Sequence, residues 1–469
     1  MRISRADLVL VGSLAAASAV LLNVGVVCSN DGANYALISA LGDGTTIIDG
    51  YEQHTFLVDY SMRDGHYYSP RAPGTAFLLM PFFFVGKLVS GGHDPTVQFV
   101  TGLGPALFGA LLAMLMYAFI RRLGYSRGAG IFTALALCLG TPLRSYASGP
   151  WSHTIAAFFS LALVWVAYES ITAKAADDPR RAMGYAAGLG ALSACVVSVD
   201  YSGVLYATVV LVIVVVSRGR RGSWRDAAGR WALPIIAMGL LCMLPALGYH
   251  RAAFGSPFRT GYDFVVGQYA QVQHLSGMYG GSFFEGLLGL LFHPRAGLFV
   301  WSPILIAGVI AYRPFLKALP SRAVSLLFTL PALVMILLTA NYHWWDGGGV
   351  HDVRFITQSL PLIALPVAAA ADRSVSAEGE RRRLASFAFV ALFVASLVLQ
   401  AVKHHAYWAR DGSAWLPRFR DAGDRLPEVI GRFAAWCWPH APTALVMALA
   451  GVALWVVLKR SEARAASEL

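Results

Sequence analysis

Charge is scarce in this chain of 469 residues: Asp, Glu, Lys and Arg make up only 13% of it, and 57% is hydrophobic. Soluble domains carry about 25% charged residues, so a soluble enzyme with one buried helix is excluded. Cysteine is also sparse, with five residues at 28, 138, 195, 242 and 437. No CxxC pair and no zinc-type spacing occurs, which removes thioredoxin-like redox chemistry and zinc modules. Three cysteines fall in apolar runs and read as small core residues. Cys28 and Cys437 both fall near expected outer ends of spans, so a disulfide between them is conceivable. Internal repeats and low-complexity stretches are missing, so solenoids and linkers are excluded. Acidic residues are outnumbered, 26 against 37 Lys and Arg, for a net charge of +11. In a soluble protein that excess suggests nucleic acid. Here the membrane explains it, and no nucleic-acid partner is expected.

What the chain does have is a series of apolar runs of ~17–25 residues, the length needed to cross a bilayer. Mean hydropathy is +0.57. About twelve spans are expected, at roughly 7–27, 96–120, 128–146, 150–169, 183–199, 201–217, 231–249, 296–312, 323–340, 355–371, 386–402 and 441–458. This predicts an all-α polytopic membrane protein. Arg2 and Arg5 precede the first run, which is long enough to span. Val27 is too large for a lipoprotein cleavage site before Cys28, so the run reads as an uncleaved helix. With the N-terminus inside, roughly 23 of the Lys and Arg lie in inner loops and roughly 14 outside, as the positive-inside rule requires. Both termini are therefore expected in the cytoplasm of a plasma or inner-membrane protein. The chain reads as one transmembrane unit over 1–469. Its outer loops cover 28–95, 250–295 and 403–440, and no soluble domain follows the last span. The first outer loop is expected to hold interfacial helices, from Asp31 to Leu41 and from Gly74 to Val89. The second of these carries Pro81 near its centre.

Chemistry-bearing side chains crowd the outer loops. Asp31 follows the first span directly. It is either a helix cap or a general base that takes a proton from a sugar hydroxyl, an effect worth ~10²–10⁴ in rate. Asp59 and Asp64 are further carboxylates in the same loop. Asp59 is a candidate for orienting a substrate, with Tyr67 and Tyr68, whereas Asp64-Gly65 reads as a turn. Arg71 stands between Pro70 and Ala72-Pro73, on a stiff backbone suited to presenting a guanidinium to a phosphate. Arg354 closes the Trp344-to-Arg354 stretch, which carries three consecutive glycines. Asp346 or Asp352 is available to pair with it, and Asp352 is also a substrate-binding candidate. His153, at the start of the fourth span, is placed to bond a phosphate or sugar oxygen. Asp200 reads as a cap or a cavity wall residue, and Arg295 as another outer cation.

The ordered set SNDGANYALISAL, DGHYYSPRAPGTAFLLMPFF, GPWSHTIAAFF, FGSPFRTGY, HPRAGLFVWSP and WWDGGGVHDVRF resembles the GT-C superfamily of membrane glycosyltransferases. It is similar to the bacterial branch near the protein O-mannosyltransferases and lipid A aminoarabinose transferases. The resemblance implies a GT-C fold, a polyprenyl-phosphate sugar donor, an inverting transfer and an envelope acceptor that is a glycan, lipid or protein. By position it implies Asp31 as base and Arg71 and Arg354 on the donor phosphate, with no cofactor. Relatives often have Lys at the position of Arg71. SNDG and WWDGG also resemble oligosaccharyltransferase catalytic subunits, which carry WWD in a soluble domain after the last span. Here it lies in a loop with three more spans to follow, and the echo is taken as coincidence. It leaves open a divalent metal at Asp31. The alternative reading is a polytopic transporter or lipid flippase. Such proteins place charges near the midplane and show inverted repeats, whereas these charges crowd one face.

Overall fold

The computed structural model describes residues 3–23, 25–266, 279–350, 352–376, 379–408 and 441–467. In chain order the helices are α1 (Arg5–Leu22), α2 (Ser29–Gly42), α3 (Gly74–Ser90), α4 (Asp94–Arg122), α5 (Arg127–Leu139), α6 (Leu143–Tyr146) and α7 (His153–Thr172). Then come α8 (Pro179–Val199), α9 (Gly203–Arg221), α10 (Trp224–Ala227), α11 (Leu233–Phe254), α12 (Phe283–Phe292) and α13 (Leu298–Trp301). The last are α14 (Ile304–Lys317), α15 (Arg322–Ala340), α16 (Leu360–Ser376), α17 (Gly379–Trp408) and α18 (Ala441–Ser467). One antiparallel hairpin, β1 (Ser61–Arg63) and β2 (His66–Tyr68), interrupts them between α2 and α3. Asp64 and Gly65 turn it with positive φ at both positions (53° and 84°), the backbone a tight hairpin requires.

Nine helices among the described residues are long and apolar enough to cross a membrane, and the chain is a multi-pass membrane protein. The run expected at 128–146 is split: α5 stops at Leu139, and Gly140-Thr141-Pro142 break it before α6. The run expected at 296–312 is likewise displaced to α14, because Pro303 ends the short turn α13 and starts a new helix. The span expected to end at 249 continues to Phe254 and stops at Gly255, whose φ of +76° is the left-handed C-terminal cap. The loop expected from residue 403 begins later, since α17 continues to Trp408. Cys437 and the rest of that loop from 409 to 440 lie outside the described residues.

The main core joins α4, α7, α15 and α16 through Leu112, Phe119, Val164, Phe328 and Leu365. Phe119 stacks on Trp165 at 5.2 Å and meets Phe328 edge-on at 5.7 Å. On α11, Ile236, Leu240, Leu241 and Leu244 are exposed, which costs nothing against lipid tails. Where helices must approach closely, small residues do it: a Cβ on Gly190 of α8 would lie 2.3 Å from the Ile235 carbonyl oxygen. Asp7 in α1 is fully buried but compensated. Arg127 donates to both of its oxygens at 2.7 and 2.8 Å, and Tyr117 adds a third bond at 2.8 Å. A second core lies under the first loop, where Tyr35, Leu37 and Ile38 of α2 pack with Tyr68, Leu79, Phe83 and Phe254. Helix α2 is therefore buried over nearly its whole length, whereas α3 packs on α4 and leaves Phe84, Val85, Leu88 and Val89 exposed.

Candidate active site

The site begins at the first turn of α2. Cys28 caps the helix in an extended conformation, and Asp31 sits three residues in. Its carboxylate reaches back to accept the main-chain N–H of Cys28 on Oδ1 and of Val27 on Oδ2, both at 2.8 Å. This is a capping-box arrangement, so the cap reading and the functional position fall on one residue. Asp31 is fully buried, and that burial pushes its carboxyl up to about 6 against the pull of the two hydrogen bonds. The next residue has to be glycine, because a Cβ on Gly32 would sit 1.7 Å from the His54 carbonyl oxygen.

Arg71 is braced on three sides. It forms an ion pair with buried Asp59, and its Nη1 donates to the Tyr262 hydroxyl at 3.0 Å. The Asn30 amide, oriented with its oxygen toward the guanidinium, accepts from both terminal nitrogens at 3.1 Å. That contact ties Arg71 to the residue before Asp31. The FGSPFRTGY segment supplies Tyr262 through backbone contact, since a Cβ on Gly261 would be 2.4 Å from the Pro70 Cα. Arg71 Nε is buried with no partner.

Arg354 enters from the opposite side of the chain, after a loop that only glycine can follow. Gly347 has φ +80°, and a Cβ there would lie 2.3 Å from the Asp352 carbonyl oxygen. The Arg354 guanidinium lies 4.8 Å from the Phe355 ring centroid, and its Nε is buried without a partner. Among the described residues it has no ion-pair partner. Asp352 pairs instead with Lys403 of α17 at 3.0 Å, both side chains being almost fully buried.

His153 lies between the arginines. It is buried, neither ring nitrogen has a hydrogen-bond partner, and the charges of Arg354 and Arg71 both reach it. Tyr146 meets it edge-on at 4.4 Å and Trp151 stacks on it at 5.7 Å. Tyr146 in turn feels Asp352, Arg354, Cys28 and Asp31. Val27 and Cys28 pack with Tyr146, Trp151 and Val350. Asp31, Arg71, His153 and Arg354 thus share one neighbourhood, although consecutive members lie 40, 82 and 201 positions apart along the chain. A narrow cavity nearby is lined by Ser18, Gly109, Arg144 and Thr154 rather than by these groups.

Other expected residues go elsewhere. Asp59 is taken up by Arg71, and Asp352 by Lys403, not by Arg354, because buried charges need a partner within reach. Tyr68 is a core residue against Phe254 at 5.6 Å. Tyr67 contacts Tyr60 at 5.2 Å, and its N–H donates to Asp49. No hydrogen bond or ring contact links either tyrosine to Asp31, Arg71 or Arg354. Asp200 is the C-cap residue of α8, and its Oδ1 accepts from the main-chain N–H and the hydroxyl of Ser202 in the turn before α9. Asn30 and Lys403 escaped the sequence reading. Asn30 carried a signal in its adjacency to Asp31, whereas Lys403 carried none. As for a metal, the Asp31 oxygens already hold main-chain donors. No group of three or more His, Cys, Asp or Glu among the described residues is placed to bind an ion.

No family model and no curated protein matches the chain. Solved structures do. ArnT from Cupriavidus metallidurans bound to undecaprenyl phosphate aligns with TM-score 0.52 at 16% identity, over 94% of this chain and 75% of that one. Its apo state gives 0.51 at 16% identity, over 93% and 74%. The oligosaccharyltransferase AglB from Archaeoglobus fulgidus, in complex with an inhibitory peptide and a dolichol-phosphate, gives 0.50 at 14% identity. That alignment covers 92% of this chain but only 59% of AglB. The helical architecture with its long first loop is therefore the fold of these structures, the GT-C fold that the sequence motifs led us to expect.

Proposed function

We propose that this protein is an inverting glycosyltransferase. It moves a sugar from a polyprenyl-phosphate donor to an envelope acceptor on the outer face of the membrane. The observation that supports this best is the charge balance of the site. Asp59 neutralises Arg71 and Asp352 neutralises Lys403, which leaves one buried carboxylate, Asp31, and one half-buried cation, Arg354, without ionic partners among the described residues. A sugar phosphodiester carries one negative charge, so a single uncompensated arginine matches a monophosphate donor. A diphosphate, with two charges, asks for more.

In the proposed step, an acceptor hydroxyl oxygen attacks the anomeric carbon as its proton passes to Asp31. The bond from that carbon to the phosphate oxygen breaks, and polyprenyl phosphate leaves with the electron pair. A phosphate is a stable anion, so no general acid is needed. Attack opposite the leaving group inverts the anomeric configuration. Arg354, with His153 and the braced Arg71, stabilises charge growing on the phosphate. Each such donor is worth ~2–4 kcal/mol by comparison with oxyanion-hole losses.

The test compares a deletion strain complemented with wild type or with Asp31→Asn, by mass spectrometry of envelope glycans and glycolipids. A glycan is expected to disappear in the deletion strain and to stay absent with Asp31→Asn. Meanwhile the purified variant should still bind undecaprenyl phosphate, and wild-type turnover should survive EDTA. Full complementation by Asp31→Asn would remove the base from the proposal.

A further inference from the structure

The end of α17 reaches three separate loops with three buried side chains. Gln400 donates from Nε2 to the Trp301 carbonyl oxygen at 2.9 Å and to Ser302 Oγ at 3.0 Å. His404 Nδ1 lies 2.8 Å from Ser145 Oγ. Lys403 Nζ donates to Asp352 Oδ1 at 3.0 Å and lies 5.2 Å from the Trp301 ring centroid. All three are nearly solvent-free. The lysine is the unusual one, since a buried ammonium is costly unless paired. Its partner is two residues from Arg354, and the charge of Arg354 already reaches the Asp352 carboxylate. A buried carboxylate that close to a half-buried guanidinium is a natural competitor for it.

We infer that Lys403 is a positioning residue that holds the Asp352 carboxylate away from Arg354 and so keeps that guanidinium available for an anionic ligand. This rests on the proposed reading of Arg354 as a phosphate-binding group. The geometry supports it in two ways. Asp352 Oδ1 is held by two donors, Lys403 and the main-chain N–H of Val353 at 2.7 Å, and its ion pair is with Lys403 rather than with its neighbour at 354. The loop between Gly347 and Asp352 closes on itself through the tight Gly347–Asp352 contact, so the carboxylate has few other destinations if released. Among the described residues, Arg354 is the other cation whose charge reaches Asp352.

The test is a set of affinities for undecaprenyl phosphate, measured on the full-length protein in nanodiscs. Lys403→Met should fold, by size-exclusion profile and melting curve, yet bind the lipid phosphate at least about tenfold more weakly. That corresponds to ~1.4 kcal/mol. The double variant Lys403→Met with Asp352→Asn should return to within about threefold of wild type, because no carboxylate is left to capture the arginine. Lys403→Arg, which keeps the cation, should match wild type. A purely structural ion pair predicts a lower melting temperature with affinity unchanged, and no selective recovery in the double variant. That pattern would overturn the inference, as would failure of Lys403→Met to fold. If wild type itself shows no affinity for undecaprenyl phosphate, the donor reading fails instead, and the two failures are told apart by that control.

Discussion

Asp31 closes a helix cap and is also the base of the proposed transfer, two demands that usually compete. Its carboxylate closes the capping box of α2, yet burial holds its proton affinity near pH 6 rather than in the ordinary carboxylate range. A base must be ionised to work, so activity should rise with pH through about 6 and level off above it. Stability should run the other way. The folded state binds the Asp31 proton more tightly than the unfolded chain, so this residue's contribution is greatest below pH ~4 and falls as pH rises through about 6. Paired pH profiles of turnover and melting temperature check this, and a parallel rise of both across that window would contradict it. The arginines give a second comparison. Arg354→Ala should lower affinity for undecaprenyl phosphate about tenfold or more. Arg71→Ala should also weaken it, partly because Asp59 is left buried and unpaired, and adding Asp59→Asn should recover some of the loss. Unchanged affinity in both single variants would take the two arginines out of the phosphate site.

Helix α2 shows how an element, rather than a residue, sets the geometry. It is too short to cross a membrane and is enclosed by α3, the hairpin segment and the Ser148-to-Trp151 stretch, where Asn34 donates to the Pro150 carbonyl oxygen at 3.1 Å. Gly32 makes that enclosure possible. Because a methyl group there would collide with the His54 backbone rather than with a movable side chain, Gly32→Ala should displace the first turn of α2 and Asp31 with it. Overpacking of this kind costs about 1–3 kcal/mol. The expected result is a lower melting temperature and at least a tenfold loss of transfer. Wild-type activity in Gly32→Ala would show that α2 has room the structure denies it.

At the scale of the whole molecule, orientation is the open physical quantity, because helices alone do not say which face is which. The Lys and Arg bias predicts the α2–α3 loop outside and the α9–α10 turn inside. In intact cells, a cysteine at Gln53 should react with a membrane-impermeant maleimide, and one at Arg225 only after permeabilisation. Both positions are exposed. The opposite labelling pattern would invert the topology and move the site to the cytoplasmic face.

Long apolar runs and their separating charges were legible in the chain because desolvation acts on each segment separately: twenty apolar residues prefer lipid whatever their neighbours do. The helical architecture could be anticipated on that basis, and the turn at Asp64-Gly65 from its residue types. Pairing could not. Asp352 lies two positions from Arg354, yet its partner is Lys403, 51 positions away. Asp59 looked free and is spent on Arg71. Which buried charge meets which depends on how α17, the glycine loop and the first loop pack together. Ion pairing falls off over a few ångströms in space and is indifferent to distance along the chain. The sequence alone therefore determined that this protein crosses a membrane repeatedly and which charges crowd its loops. Only the tertiary structure decided which of those charges remain unspent.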